Sequence, residues 1–259
     1  MSQAFNQNRI YGVFSSHEVK KIGTGTTTRK TVQKIFWFVE EMQDGSIVLQ
    51  SINQNYVPTG QKKTITKEML LEKYSPEPEF YASTVYPKMK ELDETLDKAD
   101  ESRKNGETFS AEFEYSHVLN IDIGNVRANF GIGLTYLERG DAEKAKNIFE
   151  RLINLEGAYA PEHKHLFNEF GINLRKSKMY TQAVEYYQRA LQLQKTDENL
   201  FINLARVYLE LKEYEECFKA LEMALQLAPK HEVAVKFVTW LKDKNLITQK
   251  LFSQVEKLI

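Results

Sequence analysis

The sequence predicts an α+β chain in which a small β-rich module precedes an array of stacked α-helical hairpins. Three observations predict it. Small and apolar residues recur at an offset of 34 positions through the last two-thirds of the chain. Before position 76, β-branched and aromatic residues gather in short runs separated by turn residues, the pattern of strands rather than helices. Pro76-Glu77-Pro78 stands between the two patterns as a stiff connector. The expected division is a module over 1–78, a linker and leading helix over 79–91, and the array over 92–259.

The clearest repeat runs from Glu198 to His231 and carries Phe201, Leu204-Ala205, Tyr208, Cys217, Leu221, Ala224 and Pro229. One step back lie Phe167, Phe170-Gly171, Leu174, Ala183, Tyr187 and Ala190. The next unit has Ile132-Gly133, Tyr136, Gly140, Ala145 and Phe149, followed by the insertion Ala160–His163, which Pro161 marks as non-helical. A further step finds Ala99, Gly106, Ala111, Tyr115 and Val118. The units are therefore 92–125, 126–159, 164–197 and 198–231, with a degenerate cap over 232–259. Small residues such as Gly133, Gly171 and Cys217 let two helices approach closely, and aromatic residues fill the gaps between pairs. Gly106 and Gly140 can take the left-handed conformation that ends a helix. Pro229 stops the second helix of its unit. The cap places Val235, Val238 and Leu241, then Ile247, Leu251, Val255 and Leu258, at helical spacing. Its polar face, Gln249, Lys250, Ser253, Gln254 and Lys257, suits a solubilising end. Trp240 and Phe237 are expected to pack against the last full unit.

The spacing of an aromatic, Leu-Gly, Tyr, then a small residue, an aromatic, Ala and Pro resembles the tetratricopeptide repeat family. The resemblance covers residues 92–231 and implies a superhelix with an open trough walled by the first helix of each unit. By that resemblance the inward positions are Arg127, Phe130, Leu134 and Leu137; His165, Asn168, Ile172, Arg175 and Lys176; and Asn199, Ile202, Arg206 and Leu209, while Asn168 and Asn203 in the groove could hydrogen-bond an extended backbone. Phe130 and Ile202 are also the groove residues most suited to packing between helices. Some members grip a terminal carboxylate with two Lys, two Asn and one Arg; of that clamp only Asn203 matches here. The implied ligand is a peptide or helix with apolar anchors and some acidic character.

In the amino-terminal module, Thr31–Met42 and Ile47–Ile52 flank Asp44-Gly45 and read as a β-hairpin. Lys63–Ile65 and residues 9–19 offer further strands, together sketching a half-open barrel. Thr66 can cap a helix over Lys67–Tyr74, with Met69 and Leu70 toward the sheet. A helix is expected to start near Pro87. Between the strands, residues 20–34 hold five cations (Lys20, Lys21, Arg29, Lys30 and Lys34) and no acid. This stretch reads as a solvated loop, or as a second contact for an acidic partner or a nucleic-acid backbone. Its Gly23-Thr24-Gly25 lacks the Gly-Lys-Ser/Thr of a phosphate loop. Trp37 and Phe38 could stack on bases, but their run of five large residues reads first as core.

Bulk properties narrow the function. Net charge is −1 over 259 residues, so no global field recruits nucleic acid or an anionic membrane. The single cysteine, Cys217, excludes an internal disulfide and favours a reducing compartment, and cytoplasmic location is the expectation. No apolar run reaches a membrane-spanning length, and residues 1–8 lack the basic and apolar segments of a secretory signal. His163 and His165 are two apart and cannot share a metal on one helix face; His17, His117 and His231 are isolated. No catalytic order, metal spacing or dinucleotide loop can be assembled, and no cofactor is expected. The expected function is an adaptor that binds a protein segment. Two alternatives are a nucleic-acid-associated factor acting through residues 20–34 and a homo-oligomeric structural scaffold.

Overall fold

In the computed structural model the described residues are 9–22, 29–160 and 163–258, and the side chains at 19–22, 29–31, 156 and 159 lie outside the description. Two compact units form: residues up to Asn105 with Ser110–Ala128, and Gly106–Phe109 with Asn129–Ile259. Compactness thus divides the chain after the first helix pair, whereas the change of sequence pattern falls near residue 78.

The first unit holds an antiparallel sheet of order β4-β3-β2-β1-β5. Its strands are β1 (Tyr11–Ile22), β2 (Arg29–Glu41), β3 (Ile47–Ile52), β4 (Pro58–Ile65) and β5 (Ser75–Pro76). The expected hairpin is present: Glu41 pairs with Ile47, and Met42 N–H donates to the Ser46 carbonyl at 2.8 Å. The sheet stays open, with β4 and β5 at its two edges rather than curling toward a barrel. The connector Pro76 is part of an edge strand, paired with Phe14. Five large residues run together in β2 because both faces of the sheet are covered. Trp37 and Val39 join Ile47, Leu49 and Leu70 on one face; Phe36 and Phe38 join Val13 and Val85 on the other. Trp37 and Phe38 are therefore committed to packing, and Trp37 Nε1 donates to Ser16 Oγ at 2.9 Å.

Helix α1 (Lys67–Lys73) follows β4, and Thr66 Oγ1 accepts from the Met69 N–H, as an N-cap does. Leu70 is fully buried, but Met69 faces solvent, because only one stripe of so short a helix can meet the sheet. The next helix starts at Pro78 rather than near Pro87. It runs through α2 (Pro78–Phe80), a π-helical turn (Tyr81–Val85) and α3 (Tyr86–Lys104). Pro87 brings no N–H to the Ser83 carbonyl, and the widened turn absorbs that gap. The end of α4 (Thr108–Ile121) is tied to the sheet by side chains: Asn53 Nδ2 and Asn55 Nδ2 both donate to the Ile121 carbonyl, and Thr59 Oγ1 donates to Asp122 at 2.7 Å. These bonds hold the first helix pair in the same unit as the sheet.

The second unit is helical: α5 (Val126–Arg139), α6 (Ala142–Leu152), α7 (Lys164–Lys176), α8 (Tyr180–Leu193), α9 (Glu198–Glu210), α10 (Tyr214–Leu227), α11 (Glu232–Asp243) and α12 (Gln249–Val255). A 3₁₀ turn over Glu156–Tyr159 precedes the expected insertion, whose Pro161 and Glu162 lie outside the described residues. The small-residue positions are close approaches. A Cβ on Gly133 would come within 2.7 Å of the Phe170 ring, and one on Gly171 within 2.5 Å of Tyr187 Oη. Each first helix ends on a residue with positive φ: Gly106 (79°), Gly140 (78°), Lys178 (61°), Lys212 (62°) and Asn245 (53°). The turn recurs 34 positions on from Gly106 to Gly140 and from Lys178 to Lys212, 38 across the insertion and 33 before Asn245, even where glycine is missing. In the cap, Ile247, Phe252 and Val255 are buried and the predicted polar face is exposed, while Trp240 is 41% exposed and not packed away.

Candidate functional site: the wall of first helices

The expected groove residues fall into a closed part and an open part. On α5 every residue from Ala128 to Leu137 is buried, and Phe130 and Leu134 are fully so. Phe130 stands edge-on to Phe170 with ring centroids 5.9 Å apart. Phe130, Leu134 and Leu137 therefore line no trough; they are core. Arg127 is also committed. Its Nε donates to Asp100 at 2.8 Å and its Nη2 to Asp97 at 2.7 Å. The repeat frame gives the phase of a helix but not what lies over it.

The wall opens from α7 onward. His165 and Lys176 are exposed, and Asn168, Ile172 and Arg175 are half-buried. Arg175 Nη1 donates to Glu210 at 3.1 Å, linking α7 to α9. Asn168 Oδ1 is buried without a hydrogen-bond partner among the described residues, an acceptor whose desolvation is uncompensated. On α9, Asn199 is exposed and bonded to Glu198, Arg206 and Leu209 are half-buried, and Ile202 is buried. Asn203 is buried too. It accepts from Arg206 Nη1 at 2.9 Å and thereby orients that guanidinium. Tyr187 lies under Gly171; burial pushes its hydroxyl pKa up, against the opposing pull of Arg175 and Arg206, so it stays neutral at physiological pH.

The structure adds a stretch that the sequence reading left out. On α11, Val233 is 42% and Trp240 41% exposed, and Lys236 beside them is paired with Glu232. The signal was available: stepping 34 positions from Asn199, Ile202 and Arg206 lands on Val233, Lys236 and Trp240. At the repeat offset the cap thus holds the positions of a fifth unit's first helix.

The second expected contact is different in form. Lys20, Lys21, Arg29 and Lys30 stand on paired strands, not in a loop: Lys20 is opposite Thr31, Lys21 opposite Lys30, and Ile22 opposite Arg29. Lys34 is ion-paired with Glu77, which also accepts from Ser15 Oγ at 2.7 Å. Gly23–Thr28, including Gly23-Thr24-Gly25, lies outside the described residues. Cys217 is fully buried, and burial pushes its thiol up to about 12, so it remains a packing residue and no nucleophile at neutral pH. Among the described residues no cluster of three His, Cys, Asp or Glu could hold a metal ion, and no helix is long and apolar enough to cross a membrane.

Comparison with known proteins agrees with this repeat geometry. A tetratricopeptide repeat family model matches residues 126–159, and a model of the fourth ARM domain of tetratricopeptide repeat protein 21 matches residues 166–256. The human protein O-mannosyl-transferase TMTC3 is 30% identical over 133 residues, 50% of this chain and 13% of that protein. The TPR repeat-containing protein MJ1428 of Methanocaldococcus jannaschii is 21% identical over 262 residues, 92% of this chain and 45% of its own length. The chain thus spans less than half the length of either relative. Among solved structures, a MamA protein superposes with a TM-score of 0.46 at 21% identity, covering 64% of this chain and 91% of its own. With its 34-residue phase, close-packed small positions and left-handed helix ends, the helical array of this chain is similar to the tetratricopeptide repeat family over residues 126–159 and 166–256.

Proposed function

We propose that the chain is an adaptor that holds a segment of another protein against the first helices α7, α9 and α11. The observation that carries this reading is the accessible, mixed character of that wall. Arg175 and Arg206 supply positive charge, while Ile172, Leu209, Val233 and Trp240 supply apolar surface. Such a surface suits an amphipathic segment with acidic residues flanking apolar anchors. An exposed tryptophan is the residue type most able to concentrate binding energy in a small area. Asn168 Oδ1, buried and without a partner among the described residues, can accept from the backbone of an extended guest once its amide rotates toward the groove. The groove begins at α7, since α5 is closed over. The reading places the adaptor in the cytoplasm, where its lone thiol stays reduced, and gives it no catalytic role.

The test is affinity capture from extract of the native cell with the full chain and with the double variant Arg175→Glu, Arg206→Glu. Reversing two charges at the centre of the wall is expected to weaken capture at least tenfold, about 1.4 kcal/mol. Equal recovery of the same partners by both proteins would overturn the assignment. Trp240→Ala is expected to lower capture in parallel by more than its modest effect on the thermal midpoint, because the indole is 41% exposed and packs on Phe237 with the rest of its surface.

A further inference from the structure

The strands β1 and β2 continue together well past the rest of the sheet. β3 reaches only as far as Trp37, and β5 touches β1 only at Phe14 and Ser15. From Ser16↔Ile35 outward to Ile22↔Arg29 the two strands pair with each other alone among the described residues. Seven rungs make a two-stranded ribbon about 20 Å long. Outward from this point its described side chains face water: His17, Glu18, Gln33 and Lys34 are exposed and Val32 is 61% exposed. A two-stranded ribbon without a covering face is marginal by itself.

The charges of the ribbon are concentrated where it is least supported. Lys20, Lys21, Arg29 and Lys30 occupy three adjacent rungs, about 7 Å of strand. Lys21 and Lys30 are directly opposite each other, an arrangement that like charges destabilise. Strand alternation assigns the cations to both faces. Lys21 and Lys30 hold register positions on the face that also carries Lys34, while Lys20 and Arg29 hold positions on the other. Glu18 is the one acid in the ribbon's described strands.

We propose that this ribbon is a nucleic-acid-binding arm that enters the major groove of a double helix, each face meeting one phosphate wall. The dimensions agree, since that groove admits a two-stranded β-ribbon. Two cationic faces match a ligand that presents anions on both sides; an acidic peptide would lie along one face or one edge. An anionic membrane is the poorer match, because the sequence joining the strands, Gly23 to Thr28, is glycine and threonine with no large apolar residue to insert. Release of condensed counterions drives association. The contact is to backbone phosphate, which carries no sequence information.

The test uses the full chain and a fluorescein-labelled DNA duplex of mixed sequence and about two helical turns, with anisotropy followed against salt. Four phosphate contacts give a slope of log K against log salt of about −3.6, and each double variant, Lys21→Glu with Lys30→Glu or Lys20→Glu with Arg29→Glu, is expected to bring it to about −1.8. Affinity at low salt is expected to fall more than tenfold in both. Loss in only one of the two variants would mean a single-face contact and overturn groove entry. Absent duplex binding at low salt, unchanged binding by both variants, or tighter binding to polyglutamate or to phosphatidylserine vesicles would overturn the proposal as a whole. Circular dichroism melting identifies any variant that misfolds; the Lys→Gln and Arg→Gln versions then carry the same comparison.

Discussion

At the scale of single residues, the firmest consequence of the repeat is the intolerance of its small positions. Gly171 faces the ring of Tyr187, which is 1% exposed and has no room to retreat. Gly133 faces Phe170 and Ile148, both buried. Gly171→Ala and Gly133→Ala are each expected to cost about 1–3 kcal/mol by overpacking, despite the better helix propensity of alanine. Urea unfolding of the full chain measures this directly, and a gain in stability would contradict the close approach. These positions were legible in the sequence, because the 34-residue offset puts a small residue where a large one cannot fit. The burial of Phe130 and Ile202 fits their expected packing between helices, but that of Leu134 and Leu137 was not legible, because an inward phase says nothing about what covers a residue. Asn203 was legible as a polar groove residue but not as the acceptor that orients Arg206, a relation set by local rotamers.

At the scale of elements, the turn between the two helices of a unit is better conserved in geometry than in residue type. Glycine closes α3 and α5, whereas Lys178 and Lys212 hold the same left-handed conformation after α7 and α9. A lysine there carries about 1–2 kcal/mol of steric strain that glycine lacks, offset by about 0.4–1 kcal/mol of added freedom in the unfolded chain. Lys178→Gly and Lys212→Gly are therefore expected to stabilise by about 0.5 kcal/mol each, read as a higher urea midpoint at unchanged slope. A lower midpoint would mean that the lysine side chains contribute contacts exceeding the strain. The sequence announced this turn at Gly106 and Gly140 and hid it at Lys178 and Lys212. The hairpin at Asp44-Gly45 and the Thr66 cap were likewise visible, since each rests on local chemistry. The outermost rungs were not: Lys20–Ile22 and Arg29–Lys30 show no apolar alternation, so strands were expected only over 9–19 and from Thr31, and the added pairing comes from backbone hydrogen bonds extended outward from the core.

At the scale of the molecule, a net charge near zero leaves acid stability to individual carboxylates. The N–H of Ile10, with help from Lys67, holds the Glu41 carboxyl below its usual range, and Lys34 together with Ser15 does the same for Glu77. A depressed carboxylate contributes stability that is fully present above the unfolded value of about 4.3 and lost as pH falls through the lower folded value. Glu41→Gln with Glu77→Gln is therefore expected to lower the thermal midpoint at neutral pH and flatten its decline below about pH 4. An unchanged acid profile in the double variant would show that neither carboxylate governs it. The same contacts have a further consequence for the strands they join. A sheet apolar on one face resists a one-residue slip, since slippage would carry its whole buried set into water. Around Phe36–Val39 both faces are apolar, so that safeguard is weak, and directional polar bonds must fix the alignment instead. Trp37 to Ser16, Glu41 to Ile10 and Glu77 to Ser15 each join residues at least 21 positions apart, and together they lock which rung of β1 meets which rung of its neighbours.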